Sequence, residues 1–182
     1  KGDIIDITAY ERRDGEKLIE EFMIVANETV AETIFFMELP FIYRIHDKPN
    51  PKKLQDVLKM FSVLGIQIKG NTDEFQPTMF KQALDQIEDK VNKRIVSDLI
   101  VRSLSKARYQ EKNTGHFGLA SKNYTHFTSP IRRYPDLIVH RNLRKYLFDN
   151  DVDYKNSDLD QMHEIGIHTS DKEVSAIKAE QT

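Results

Sequence analysis

The sequence predicts a mainly α fold with a minor β component. Three observations carry this. Ile19, Phe22, Met23, Ala26, Val30, Ile34 and Met37 recur at helical spacing and form one apolar stripe. Asn50–Pro51 and Pro77 stand as helix starts, and Gly65 stands as a stop. Only one run, Gly2 to Tyr10, alternates as a strand does, and an isolated strand wants a partner sheet upstream.

The elements follow in order. After the Gly2–Tyr10 strand, residues 11–15 form a turn and a long helix runs from Gly15 to Leu39, where Pro40 ends it. Residues 41–49 are short, extended and then turn. Asn50 caps a helix that begins at Pro51 and runs to about Leu64. Residues 69–76 form a loop. Pro77 opens a helix carrying Phe80, Leu84 and Ile87, and another spans Val91 to Tyr109 with Ile95, Leu99, Val101 and Leu104 inward. The stretch from His116 is a loop with one short strand around His116–Ser121. A helix carrying Leu137, Ile138 and Leu147 starts near Tyr134 or Pro135. Asp149–Ser157 is a polar connection, and a last helix from Ser157 runs on to the final residues.

The chain has 182 residues, 39% hydrophobic and 31% charged, enough for one globular unit or slightly less. No apolar run approaches the roughly 20 residues of a membrane span, and no signal peptide is visible. There is no cysteine, which excludes disulfides and zinc–thiolate sites and fits a reducing compartment, so a cytoplasmic location is expected. A first residue that is not methionine, and a helix without a stop signal at the other end, read as a piece excised from a longer protein. Net charge is −2, but Arg102 to Lys145 holds ten Lys/Arg against two Asp/Glu, a local +8 that leaves −10 on the rest. A basic belt on an acidic protein is the footprint of a polyanion partner. The plainer alternative is a basic face that meets only water.

Inside that belt lies "HFGLASKNYTHFTSPIRRYPDL", His116 to Leu137. Phe117, Tyr124, Phe127 and Tyr134 offer rings, and Lys122, Arg132 and Arg133 offer charge, the combination by which single strands of nucleic acid are held. Core packing is the alternative for each ring. Ser129 before Pro130 reads as a helix cap followed by a first-turn proline, and Pro135 cannot sit inside a continuing helix. Arg132 and Arg133 therefore occupy about one rigid turn between prolines. A guanidinium fixed in this way suits a phosphate, which it binds in a fork.

The same stretch, extended to "HFGLASKNYTHFTSPIRRYPDLIVHRNL", resembles the signature of the RNB exoribonuclease family, the ribonuclease II and ribonuclease R enzymes. "KLIEEFMIVANE" and "YRIHDKP" upstream and "HTSDKEVSAIKAE" downstream resemble it in the same order. The wording of "HFTSPIRRYPDL" is nearer the ribonuclease R branch. The resemblance implies that residues 1–182 are the C-terminal, helical part of a single α/β RNB catalytic domain. It implies a processive, magnesium-dependent 3′→5′ hydrolysis of single-stranded RNA to nucleoside 5′-monophosphates. The aspartate cluster that holds the magnesium lies upstream in the family and nothing here resembles it, and the family's flanking cold-shock and S1-type domains are likewise expected to lie outside this stretch. No metal ligand is therefore assigned, the chain alone is expected to be inactive, and neither a membrane nor an obligate protein partner is expected.

Site residues carry over from the resemblance position by position. Arg132 takes the role of the catalytic arginine at the scissile phosphate, and Arg133 is a backbone-phosphate or structural partner. Glu20, in "EEFM", matches a substrate-contacting glutamate. Helical geometry separates it from Glu21, Glu28 and Glu32, which face away from the apolar stripe, whereas Glu20 and Asn27 share its flank. A carboxylate there can accept from a ribose 2′-OH. Tyr124, His126, Ser129, Tyr134, Arg102 and Glu180 complete the expected RNA contacts, and Arg44 and His46 are candidates to line the same channel. The spacing of His116, His126 and His140 fits no compact metal motif, so hydrogen-bonding roles are expected for them. Two other functions compete: a catalytically silent RNA-binding scaffold of the same fold, and an unrelated helical interaction domain.

Overall fold

The computed structural model describes residues 6, 10, 12–68, 70, 75–153 and 155–181, the side chain of residue 156 excepted. The expected strand over Gly2–Tyr10 lies largely outside them. The described elements are α1 (Asp14–Phe36), β1 (Tyr43–Ile45), α2 (Pro51–Val63), α3 (Pro77–Asp85), α4 (Lys90–Ser103), β2 (Arg108–Gln110), a 3₁₀ turn (Phe117–Leu119), α5 (Tyr134–Leu143) and α6 (Asn156–Glu180). α5 runs on as a π-helical turn over Arg144–Phe148. The fold is mainly helical with one two-stranded antiparallel sheet, as expected. Among the described residues no helix is long and apolar enough to cross a membrane.

Local signals account for the helix starts. The Asn50 side chain accepts the Lys52 N–H at 3.0 Å, with Pro51 in the first turn. Glu16 and Asp158 reach back to the N–H groups of Arg13 and Lys155, closing the first turns of α1 and α6.

Several expectations are corrected. The helix expected over Val91–Tyr109 ends at Ser103, and Arg108–Gln110 is β2 instead. Leu104 is already extended, and β2 exists because Tyr43–Ile45, far away in sequence, offers it a ladder, with Arg44 opposite Tyr109. The buried face of α4 is also one residue out of phase with the expected one. Val96 and Ile100 are inside, whereas Ile95 and Val101 are 52% and 66% exposed. In α1 the buried face is Asn27, Ala31 and Ile34, and Phe22, Leu18 and Val25 stand exposed on the opposite side. α1 is thus apolar on two faces, and only one meets the rest of this chain. The expected strand at His116–Ser121 is a 3₁₀ turn flanked by single bridges, with Ala120 left-handed.

The core has two parts. α2, α3 and α4 enclose Val57, Phe61, Phe80, Ala83, Val96 and Ile100. α1, the sheet, α5 and α6 enclose Ile34, Phe41, Ile42, Ile45, Val139 and Met162. β1 is central to the second. One edge pairs with β2, and the other takes the motif stretch: Arg44 N–H donates to Tyr124 O (2.9 Å) and Phe117 N–H to His46 O (2.9 Å). α6 seats on β2 through Gly166, where a Cβ would stand 3.0 Å from Tyr109 O and 3.3 Å from Gln110 Cα. Ser170, one turn on, bonds to the same strand, its Oγ accepting the Tyr109 N–H at 2.9 Å. Gly166→Val is therefore expected to destabilise by about 1–3 kcal/mol, the usual penalty of overpacking. A fall in the urea midpoint checks this, and an unchanged midpoint would mean that α6 is not seated there.

Candidate nucleic-acid interface

The sequence between Tyr124 and Asp136 is pinned from three sides. From α1, the Asn27 amide donates to Tyr124 Oη (3.0 Å), and its oxygen accepts the Phe127 N–H (2.9 Å). From the residue before β1, Ile42 O accepts the buried Thr125 hydroxyl (2.8 Å). From α5, His140 stacks on Phe127 at 4.4 Å and its Nε2 donates to Phe127 O (3.0 Å). Asn27 and Thr125 are buried, so their polar groups require these partners.

The two-proline stretch is a turn. Ser129 O accepts the N–H groups of Arg132 (3.3 Å) and Arg133 (3.1 Å), and α5 then opens at Tyr134 with Pro135 in its first turn. The turn is locked by Asp136, which is fully buried. Its Oδ1 accepts both the Ser129 N–H (2.7 Å) and the Arg133 guanidinium (2.8 Å). Asp136 Oδ2 and Arg133 Nε are buried without partners. Arg133 is therefore committed to Asp136, which favours its structural role over a phosphate contact. Arg132 is exposed and has no side-chain partner among the described residues. Adjacent arginines thus do different work: one is spent inside the protein and the other is free for an anion. Asp136 was not singled out by sequence reasoning. Its signal was a lone carboxylate, three residues after an arginine in the first turn of a helix.

Behind the turn runs a chain of ring contacts. His46 meets His116 (5.1 Å), His116 meets Tyr124 (5.2 Å), Tyr124 meets His126 (5.8 Å), and His126 meets Tyr109 (5.6 Å). Arg44 lies over the Tyr109 ring at 4.5 Å and makes a two-bond pair with Glu173 of α6 (2.6 and 3.0 Å). Tyr109 and Glu173 were not anticipated from sequence. Burial lowers the His126 pKa to about 3, assisted by Arg133, Arg44, His116 and Arg132. Burial and then His46 and Arg44 lower that of His116 to about 4. Both rings are neutral at pH 7.

Acid stability follows from these shifts. In the unfolded chain each histidine takes its proton near 6.5, whereas the native rings refuse it down to about 4 and about 3. Below 6.5 the unfolded state binds more protons, so stability is lost as pH falls through that window and is flat above it. The melting temperature is expected to drop between pH 7 and pH 5, and His126→Gln should make the drop shallower. An equally steep fall in that variant would assign the loss elsewhere.

The other expected site residues are less concentrated. Tyr124 is 7% exposed, so its ring face is not open as a stacking platform in this chain. Tyr134 is exposed beside the turn. Glu20 is half-buried and pairs with Arg12. Glu180 is exposed in the last turn of α6. Arg102 lies exposed at the end of α4, where its carbonyl accepts from Lys53 (3.5 Å), and no described contact links it to the arginine turn. Lys122 lines a groove of about 800 Å³ together with Lys48, Glu32, Asp47, Phe36 and Asn113, a mixed rather than basic surface.

A helical domain with an exposed arginine on a proline-bounded turn defines the class. Residues 1–149 match the RNB domain, and the chain belongs to that family. Within it, the chain is similar to ribonuclease R. It is 48% identical to ribonuclease R of Thermotoga maritima over 149 residues, covering 82% of this chain and 21% of that one. It is 40% identical to ribonuclease R of Aquifex aeolicus over 179 residues, covering 98% and 25%. The solved structure of Mycoplasma genitalium RNase R with ribose-methylated single-stranded RNA matches with a TM-score of 0.84 at 35% identity, over 94% of this chain and 27% of that one. Yeast Ssd1, a pseudonuclease, matches with a TM-score of 0.74 at 26% identity, over 88% and 20%. The chain spans about a quarter of the length of these relatives.

Proposed function

We propose that this chain forms the arginine-bearing wall of the catalytic domain of a ribonuclease R-type enzyme. The parent protein degrades single-stranded RNA from its 3′ end, processively and with magnesium, to nucleoside 5′-monophosphates in the cytoplasm, without an obligate protein partner. The observation that carries this reading is the exposed Arg132, without a side-chain partner among the described residues, on a turn locked by Ser129 and Asp136. A preorganised guanidinium stabilises the negative charge that builds on phosphate oxygens as water attacks phosphorus. Among the described residues no three His, Asp or Glu side chains come together as a metal site. The proposal therefore assigns the magnesium ligands to other parts of the parent polypeptide, as the family resemblance implies.

The test is direct. Full-length protein should release mononucleotides from a uniformly labelled RNA in magnesium, and the 182-residue chain alone should release none. Mononucleotide release by the purified short chain would overturn the assignment of the metal site. The likeness to a pseudonuclease keeps one second reading alive, an RNA-binding scaffold without catalysis. Salt-sensitive RNA binding by full-length protein with no cleavage in magnesium would favour it.

A further inference from the structure

Tyr109 and His126 meet through a single bond whose direction can be fixed. Tyr109 Oη stands 2.7 Å from His126 Nδ1, and among the described residues the phenol has no other hydrogen-bond partner. Tyr109 is buried, so its proton must be given to something. Burial raises its pKa to about 12, so the proton is present, and the neutral His126 ring carries only one N–H of its own. Nδ1 therefore accepts from the phenol, and the ring proton sits on Nε2.

Among the described residues His126 Nε2 has no hydrogen-bond partner, and it is not among their buried unsatisfied polar atoms, which are Arg133 Nε and Asp136 Oδ2. It is thus open to solvent. The charged and titratable groups whose fields reach the ring are Arg44 of β1, His116, and Arg132 and Arg133 of the turn, with Tyr124 and Tyr109 in ring contact. Arg132, the exposed cation of the turn, is among the charges felt at this ring, so an anion held by Arg132 comes within electrostatic reach of a neutral N–H. Tyr109 is itself held rigidly, its ring under the Arg44–Glu173 pair and its N–H on Ser170.

We infer that His126 is a neutral hydrogen-bond donor to the RNA backbone through Nε2–H, and that Tyr109 is the positioning residue that fixes this tautomer. The inference rests on the reading of the chain as part of an RNA-degrading enzyme. Its ligand atom is an oxygen of the terminal nucleotides, from a phosphate or a ribose 2′-hydroxyl.

The side-chain amide nitrogen of glutamine takes the place of Nε2, and that of asparagine the place of Nδ1. Binding of a fluorescent single-stranded decauridylate to the full-length protein, with magnesium chelated, separates the two. His126→Gln should stay within about threefold of the parent, and His126→Asn should weaken binding about tenfold, the scale of one neutral hydrogen bond. Tyr109→Phe should weaken binding about threefold with His126 in place and add nothing in the His126→Gln background, a coupling that packing alone would not produce. An RNA lacking the terminal 2′-hydroxyls identifies the acceptor. If His126→Asn no longer matters on that RNA, the acceptor is the ribose, and if it matters equally, the acceptor is the phosphate. Equal binding by the Gln and Asn variants, or an unchanged cost of Tyr109→Phe in both backgrounds, overturns the inference. Binding without hydrolysis in magnesium overturns only the nuclease reading, and no RNA binding at all overturns both.

Discussion

Arg132→Ala in the full-length protein is expected to lower single-turnover RNA cleavage by a factor on the order of 10² to 10³, the range for losing one preorganised charge-stabilising donor. RNA affinity should change far less. Arg132 is one cation in a stretch of net +8, and the remaining charges still hold the backbone. The turn itself should survive, because it is built from Ser129 O, the Ser129 N–H and Asp136 rather than from the Arg132 side chain. Arg132→Lys should recover little, since an ammonium cannot reproduce the planar fork. Cleavage and equilibrium binding measured side by side decide the matter. If binding falls as much as cleavage, Arg132 is an ordinary phosphate clamp.

What was legible in the sequence was what local chemistry dictates. Asn50 before Pro51 caps its helix with its own side chain, so the signal and the structure lie two residues apart. The two prolines around Arg132 restrict the backbone wherever they occur, and the turn is there. What was not legible depends on partners distant in sequence. Nothing near Arg108–Gln110 says strand, because the ladder that makes it one comes from Tyr43–Ile45. Tyr109 therefore read as the end of a helix, and its bond to His126 was out of reach. The phase of α4 slipped because apolar residues lie on both sides of the true stripe, and only packing against α2 and α3 selects Val96 and Ile100 over Ile95 and Val101. Composition offered ten cations in the belt but not their fates. Arg133 is bound inside by Asp136, Arg108 pairs with Asp47, and Arg132 has no side-chain partner among the described residues. That division decides which residue can meet RNA.

The lock on the turn makes the second large effect. Asp136→Ala is expected to destabilise the fold by about 3–5 kcal/mol, the cost of leaving one member of a buried ion pair alone. Two bonds are lost at once: the Ser129 N–H loses its acceptor, and the Arg133 guanidinium loses its counter-charge. The Arg133 side chain keeps 22% exposure, so some water reaches it and the effect should fall toward the lower end. Asp136→Asn retains an oxygen for the Ser129 N–H and should cost less. The decisive comparison is Asp136→Asn alone against Asp136→Asn with Arg133→Met. Removing both charges takes away the buried cation that the single change strands, so the double variant should unfold at higher urea than Asp136→Asn alone. Its RNA affinity should also remain close to that of the parent, because Arg133 is committed inside the protein. If the double variant is instead the weaker by the sum of the two single losses, the two side chains act independently. If it also loses RNA binding in proportion to one phosphate contact, Arg133 reaches the substrate after all, and the division of labour between the adjacent arginines would have to be redrawn.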